Sequence, residues 1–439
     1  MGKAKGDLTR LRNRRRGPIW AAVAGVSALG LALSGCTVGG SSAAGDDHQL
    51  VIGFVSTQTG ANAAFGQANT FVVDQIRTYL KAHPLVVDGE KYDVKIVVRD
   101  AQSDSTRAGD VAAELINSDN ADVIVASSTP DIVDPVSEQC EANQIPCITT
   151  VAPWQPFAIR SGDKPADLKY SYHFFWGLED VSAVYADIWK QVANNGKAGG
   201  LFPNDPDGQA WGANFPALTK TSGVTIKNPG LYPDGTKDFS AQVSAFKGTD
   251  VLVGVPIPPD FTTFWRQAKQ QGYHPKVATI GKALLFPSSV DSLGKIANNL
   301  STEVWWTPTA PYTSSLTGQS AKQLADAWEA KTHQQWTQPL GYAEALFEVA
   351  IAAVKKSGST NPEDLVRTLA HLDVHTIVGE VHWGADPNVP PYIAKTPIAG
   401  GQWRLTKGGK YPFDLVVVEN KLAPEVPLGG KPEPLSRDE

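Results

Sequence analysis

Short apolar runs alternating with amphipathic segments constrain this chain more than any other feature. The clearest unit spans residues 123–153. Val123, Ile124, Val125 and Ala126 read as a strand buried on both faces. Ser127-Ser128-Thr129-Pro130-Asp131 follows. Thr129 suits an N-cap, and Pro130 suits the first helical position, where proline's missing N–H costs nothing. The spacing predicts a helix to about Asn143, a second strand over residues 147–149, and then a loop rich in Pro and Trp. A strand thus delivers a hydroxyl cluster to a helix N-terminus, where unpaired N–H groups and the helix dipole favour an anion. Ligands of open parallel sheets sit at that end of the strands. The stretch therefore reads as half of a pocket for a small anionic group such as a carboxylate, with an ordinary capped turn as the alternative.

The alternation occurs twice. In the first series, residues 50–56 and 92–99 read as strands, and residues 67–82 and a segment capped by Ser105 read as helices. Residues 150–169 are irregular and proline-bearing, as a crossing between lobes would be. The second series has strands at 172–176, 198–202, 224–226, 251–255 and 277–280. Its helices fall at 179–194, from Trp211 onward, 239–246 and 259–271, with a turn cluster at 204–209. A strand at 304–307 reads as a recrossing. Helices at 321–332, 342–355 and 362–369 precede short strands that end near residue 420. The expectation is an α/β protein with parallel sheets in two lobes. Residues 48–165 and 308–372 form the first lobe, 166–307 and 373–422 the second, and 423–439 a loose tail. A cleft between lobes is a common seat for a small ligand, and hinge closure is the expected motion.

The N-terminus reads as an address. Five arginines between Arg10 and Arg16 precede an apolar run of fifteen residues, 19–33, too short for a comfortable membrane span. Leu33-Ser34-Gly35-Cys36 then fits a lipoprotein signal-peptidase site. Residues 1–35 are expected to be removed, with Cys36 acylated and inserted in the bilayer, and residues 36–47 form a flexible tether. The chain carries a net charge of −6; losing residues 1–35 takes away seven positive charges and one negative and leaves −12. That balance argues against nucleic acid as a partner.

Cys140 and Cys147 are the other cysteines. In an exported protein such a pair reads as a disulfide, with two buried thiols as the alternative. The histidines show no metal-ligand spacing, and His371/His375 lacks a nearby acidic partner at a useful offset. Neither a metal nor a cofactor is implied. The sequence lacks G-x-S-x-G, a P-loop, H-E-x-x-H and the dinucleotide fingerprint after the first strand, so an enzyme on this scaffold is the weaker reading. Of the twelve tryptophans, Trp154, Trp176, Trp211, Trp265, Trp305 and Trp306 fall near strand ends or cleft loops. Most such rings pack cores or hinges. Trp154 and Trp211, if they face the cleft, suit a flat aromatic or apolar body, or a cation.

The order of these parts resembles the extracytoplasmic solute-binding proteins of branched-chain amino acid ABC importers. The residues that carry the resemblance are Val51-Ile52-Gly53-Phe54, a Thr-Gly loop with Phe65-Gly66, Arg99-Asp100…Ser105, Val123-Ile124-Val125…Ser128-Thr129, Ile145 to Thr149, and His173-Phe174-Phe175-Trp176. They cover roughly residues 49–420. The resemblance implies two Rossmann-like lobes joined by a multi-strand hinge, the type I periplasmic-binding fold. It implies capture of a small organic solute, an amino acid or related carboxylate, on the extracytoplasmic face, and delivery to membrane permease subunits. A sensor signalling through a receptor would use the same fold. The family's carboxylate site falls here on Ser128, Thr129, Val151 and Ala152. Its aromatic positions fall on Phe65 and Trp211, and its second-lobe loop on Pro256 to Pro258. The family meets the ligand's ammonium with an acid where this chain reads Ile280-Gly281-Lys282. Lys282 departs from that pattern. A lysine there would repel an ammonium and could meet a second anionic group, the alternative being a solvated rim residue.

Overall fold

The computed structural model describes residues 48–160, 162 and 164–436. The expected signal peptide, the expected tether and Cys36 lie outside them. In chain order the first series is β1 (His48–Ser56), α1 (Asn69–Ala82), β2 (Leu85–Val87), β3 (Glu90–Asp100), α2 (Ser105–Asn117), β4 (Val123–Ser127), α3 (Pro130–Asn143), β5 (Cys147–Thr150), α4 (Trp154–Ile159) and β6 (Ser171–Phe174). The second is α5 (Leu178–Gln191), β7 (Lys197–Leu201), α6 (Pro206–Leu218), β8 (Thr225–Lys227), α7 (Ser240–Phe246), β9 (Val251–Gly254), α8 (Pro258–Gln270), β10 (Val277–Ile280), α9 (Pro287–Leu293) and β11 (Ser301–Val304). There follow α10 (Ala321–Thr332), α11 (Pro339–Ser357), α12 (Pro362–Leu369), a β12–β13 hairpin (Asp373–Thr376, Gly379–His382), β14 (Ile393–Ala394), β15 (Ala399–Leu405) and β16 (Phe413–Glu419).

The strands form two seven-stranded sheets, in the orders β14-β6-β5-β4-β1-β3-β2 and β16-β15-β11-β10-β9-β7-β8. β1 pairs in parallel with both β3 and β4, and β7 pairs in parallel with both β8 and β9. In each sheet the strand order therefore reverses beside one central strand, and a crevice opens at the carboxyl ends of the strands there. β1 and β4 are completely apolar where they pair, as strands covered by helices on both faces must be. The helix α11 packs against β4 and β5, so a segment far along the chain completes the first lobe.

The sheet order moves the expected lobe boundaries. β6 pairs with β5, and β14 pairs with β6, so both belong to the first lobe rather than the second. Backbone hydrogen bonding decides this: Phe175 N–H donates to Ala394 O at 3.0 Å. The chain changes sheets three times: between β6 and α5, after β11, and between β14 and β15. At the third crossing Lys395 bridges Glu179 (2.9 Å) and Asp180 (2.7 Å) at the start of α5.

Three further expectations are corrected. The tail is not loose up to residue 436. It lies along the second lobe, with Leu435 N–H donating to Lys276 O and Gly429 N–H to Val417 O, both at 2.8 Å. Leu435 is buried in the second lobe's apolar core. Cys140 and Cys147 are buried free thiols in mutual contact, not a disulfide, and burial pushes the Cys140 thiol up. Helix α2 is capped by Asp104, which accepts from Arg107 N–H at 2.7 Å, one residue before the expected Ser105. Among the described residues no helix is long and apolar enough to cross a membrane.

Candidate ligand site between the lobes

The ends of β1, β4 and β5 build one wall. Thr57 Oγ1 donates to Ser128 Oγ at 2.9 Å, and both hydroxyls are buried. Thr129 holds the N-cap backbone geometry of α3 (φ −64°, ψ 163°), yet its hydroxyl makes no cap bond. That Oγ1 is buried, points at no protein partner and lines the interlobe cavity. Val151 beside it has φ 75°, a left-handed conformation that costs a β-branched residue dearly. The loop is held there by His173. Ala152 O can only accept, so His173 Nε2–H donates to it at 2.8 Å, and Nδ1 accepts from Thr149 Oγ1, also at 2.8 Å. Burial drives the His173 pKa down to about 3, so the ring stays neutral.

The second wall is charged. Asp205 caps α6 by accepting from Gly208 N–H at 2.6 Å. A glycine is required at 208, because a Cβ would stand 2.0 Å from Pro203 O. Asp205 and Asp207 clamp Lys282 Nζ at 2.5 and 2.8 Å, and all three side chains are at most 6 % exposed. Lys282 sits at φ 48°, just after β10. Burial alone would lower its pKa, but the two aspartates raise it above the ordinary lysine value. Burial outweighs the lysine at Asp207 and pushes that carboxyl up. Glu303 on β11 accepts from Tyr185 OH and, at 3.2 Å, from Thr302 Oγ1. Burial raises its pKa as well. Trp211 stacks on Phe215 with centroids 4.3 Å apart.

The crossings supply the third side. Phe175 and Trp176 leave β6 with ring centroids 4.6 Å apart, and Trp305 leaves β11 edge-on to Phe175 at 5.3 Å. Phe65 of the first lobe meets Phe286 of the second edge to face at 4.9 Å. The lobes are thus closed on one another, and the space left among these side chains is about 20 Å³, room for roughly one water. Opposite the lysine clamp stands Asp131, in the first turn of α3. Burial pushes its pKa to about 6; Lys282 pulls it down, while Asp205 and Asp234 push it up.

Of the residues singled out in the sequence, Phe65, Thr129, Val151, Trp211 and Lys282 line this cavity. Ser128, Ala152 and Pro256 do not: the Ser128 hydroxyl meets Thr57, the Ala152 carbonyl turns to His173, and Val255 takes the place expected of Pro256. Trp211 lies within α6 rather than at its start. Lys282 is neither a solvated rim residue nor a free cation. Trp265 belongs to the second lobe's core, where Nε1–H donates to Ile296 O. Asp207, Glu303 and Trp305 also line the cavity, although Asp207 read only as part of a turn and Glu303 stood just before the strand expected at 304–307. Hairpin pairing also brings Asp373, Glu380 and His382 together on the exposed surface, a grouping invisible in sequence spacing. A larger groove of about 900 Å³ runs along the first lobe between Phe71, Tyr79 and Trp328, away from the interlobe face.

This is a two-lobed α/β protein with a closed cavity where the lobes meet, lined mostly by aromatic and apolar side chains with Thr129, Asp207, Lys282 and Glu303 among them. A family model described as periplasmic binding protein matches residues 49–399, and the chain belongs to that family. Among solved structures it is similar to a leucine binding protein, LivK, of Thermotoga maritima: 18% identity, TM-score 0.70, 85% of this chain and 99% of that one covered. It is also similar to the LivJ substrate binding protein of Streptococcus pneumoniae in complex with isoleucine, at 16% identity and TM-score 0.68, covering 84% and 99% of the two chains. A third is an ABC transporter solute binding protein of Rhodopseudomonas palustris in complex with 3,4-dihydroxybenzoic acid, at 17% identity and TM-score 0.66, covering 84% and 96%. At such identities the likeness shows the fold. No curated sequence matches.

Proposed function

We propose that this chain is the lipid-anchored solute-binding component of an ABC import system. It captures a small organic solute, an amino acid or related carboxylate, in the interlobe cleft and hands it to permease subunits. No bond is made or broken; hinge closure on the solute is the whole cycle. One observation carries the reading. Thr129 Oγ1, Asp207 Oδ1 and the indole Nε1 atoms of Trp176, Trp211 and Trp305 are all buried without a protein hydrogen-bond partner, and all five residues line one cavity. Each such group costs about 1–3 kcal/mol when left unmade. A fold concentrates that cost in one place when a ligand meets it. The ligands held by two of the similar structures, isoleucine and 3,4-dihydroxybenzoic acid, are of the kind expected.

The test is thermal unfolding of the full-length chain in mild detergent, with a small-molecule extract and with pure candidates. A ligand at a hundred times its dissociation constant adds about 2.7 kcal/mol. The shift should vanish in Trp211→Ala. An unchanged unfolding curve with every sample would sink the reading. Anchoring through Cys36 has its own check: Cys36→Ala should move the protein from the membrane to the soluble fraction.

A further inference from the structure

The β12–β13 hairpin gathers donor groups that solute capture does not use. Across its two strands Asp373 pairs with His382, and His375 pairs with Glu380. Side chains alternate along a strand, so these four residues share one face of the ribbon. All four are exposed, while on the other face Val381 is buried and Val374 half-buried. The ligand atoms of Asp373, Glu380 and His382 lie within 4.8 Å of one another. His382 Nδ1 stands 3.5 Å from Glu380 Oε1. His375 and Glu380 line the same surface depression.

The ribbon beneath these groups is fixed. In its turn, Thr376 Oγ1 donates to Gly379 O at 2.7 Å and accepts from Val378 N–H at 3.2 Å. Ile377 N–H donates to the buried Glu348 carboxylate of α11 at 3.0 Å. Just past β13, the buried Trp383 Nε1–H donates to Tyr392 O, also at 3.0 Å. Donors carried on strands held in this way are placed more precisely than donors on a loop.

The mixture of donors decides the chemistry. Among the described residues no lysine or arginine pairs with Asp373 or Glu380, and His382 balances Glu380 only if protonated. A neutral imidazole instead offers a lone pair to a metal, and the two carboxylates offer the charge. Oxygen-only sets suit Ca²⁺ and Mg²⁺, whereas imidazole nitrogen with carboxylate oxygen suits Zn²⁺ and its neighbours Cu²⁺ and Ni²⁺.

We propose that the outer face of the β12–β13 ribbon is a binding site for a divalent transition metal of the Zn²⁺ type. Asp373, Glu380 and His382 are its ligands, and His375 is the fourth donor on the same face. The site is separate from the interlobe cavity and does not depend on what that cavity holds.

The test is calorimetric titration of the untagged full-length chain in mild detergent, stripped with chelator and then given Zn²⁺, Ca²⁺ or Mg²⁺. The expected result is one Zn²⁺ per chain with a dissociation constant of about 10 μM or tighter, and no heat from Ca²⁺ or Mg²⁺ at the same concentrations. His382→Ala and Asp373→Asn should each weaken Zn²⁺ at least tenfold, since loss of even an outer-shell partner typically costs about that much. Both side chains are exposed, so urea unfolding of the metal-free variants should match the parent. His274→Ala, an exposed histidine of the second lobe, should leave binding unchanged. Absence of Zn²⁺ binding at about 100 μM overturns the proposal. So does Zn²⁺ binding that survives both hairpin variants, which would be adventitious, and so does equal binding of Ca²⁺ or Mg²⁺.

Discussion

The two walls of the cleft are built on opposite principles. On the first-lobe wall nearly every polar group is spent within the protein: Thr57 on Ser128, Thr149 and Ala152 on His173. What remains for a ligand is one hydroxyl, Thr129, and the loop at Val151. On the second-lobe wall the groups are ionisable and buried, with Lys282 between two aspartates and Glu303 beneath Tyr185. The first wall is a hydrogen-bonded platform whose shape is set before any ligand arrives. The second is an electrostatic arrangement whose balance a ligand can change. Two sheets of the same architecture thus divide the work of recognition by chemistry rather than by topology.

The contrast can be broken most directly at Lys282. Lys282→Met should destabilise the protein by about 3–5 kcal/mol, because it strands two buried carboxylates. A change below about 1 kcal/mol in urea unfolding would remove the electrostatic account of the second wall. The next test uses pH. Asp131 has a folded-state pKa of about 6 against 3.8 for an ordinary aspartate. Ionising it therefore costs the folded state more than the unfolded one. Its contribution is a loss of stability as pH rises from about 4 to about 6. Asp131→Asn should flatten that part of the profile and raise stability at pH 7 by roughly 2 kcal/mol; a variant with an unchanged slope would place the surplus charge elsewhere.

Two hydroxyls, adjacent in sequence, sharpen the first wall. Ser128→Ala should cost about 1 kcal/mol of stability with little effect on affinity, since its hydroxyl is already committed. Thr129→Val should do the reverse, weakening the ligand about tenfold while moving the unfolding midpoint little. Equal effects of the two on both readouts would erase the distinction between committed and spare groups. Smallest of all is the effect of reductant. With Cys140 and Cys147 as free thiols, it should leave the urea midpoint unmoved, whereas loss of a native disulfide costs about 2–5 kcal/mol.

Local signals were legible where local physics decides. The Thr129-Pro130 helix start is as read, and α10, α12 and β10 fall on the residues that their periodicity marks. Sheet membership was not legible for β6, because alternation shows that a strand exists and not which neighbour it hydrogen-bonds. The second wall was hidden for a related reason. Lys282 and Asp205 lie 77 residues apart, and Tyr185 and Glu303 lie 118 apart, so neither pairing leaves a trace in spacing. Asp207 looked like a turn residue because it is also one, in the first turn of α6. Trp176 and Trp305 looked like packing aromatics, and their ring faces do pack; their N–H groups set them apart.

The late position of α11 has a consequence for how the molecule is made. The first lobe's sheet lacks one of its covering helices, α11, until residues 339–357 arrive, after strands β7 to β11 of the second lobe have been delivered. The second lobe's sheet is itself unfinished until β15 and β16. Neither half can mature as an early, self-sufficient unit in the order of synthesis, so the chain's assembly should be one concerted event with a long wait before it, rather than a relay in which a finished first half guides the second.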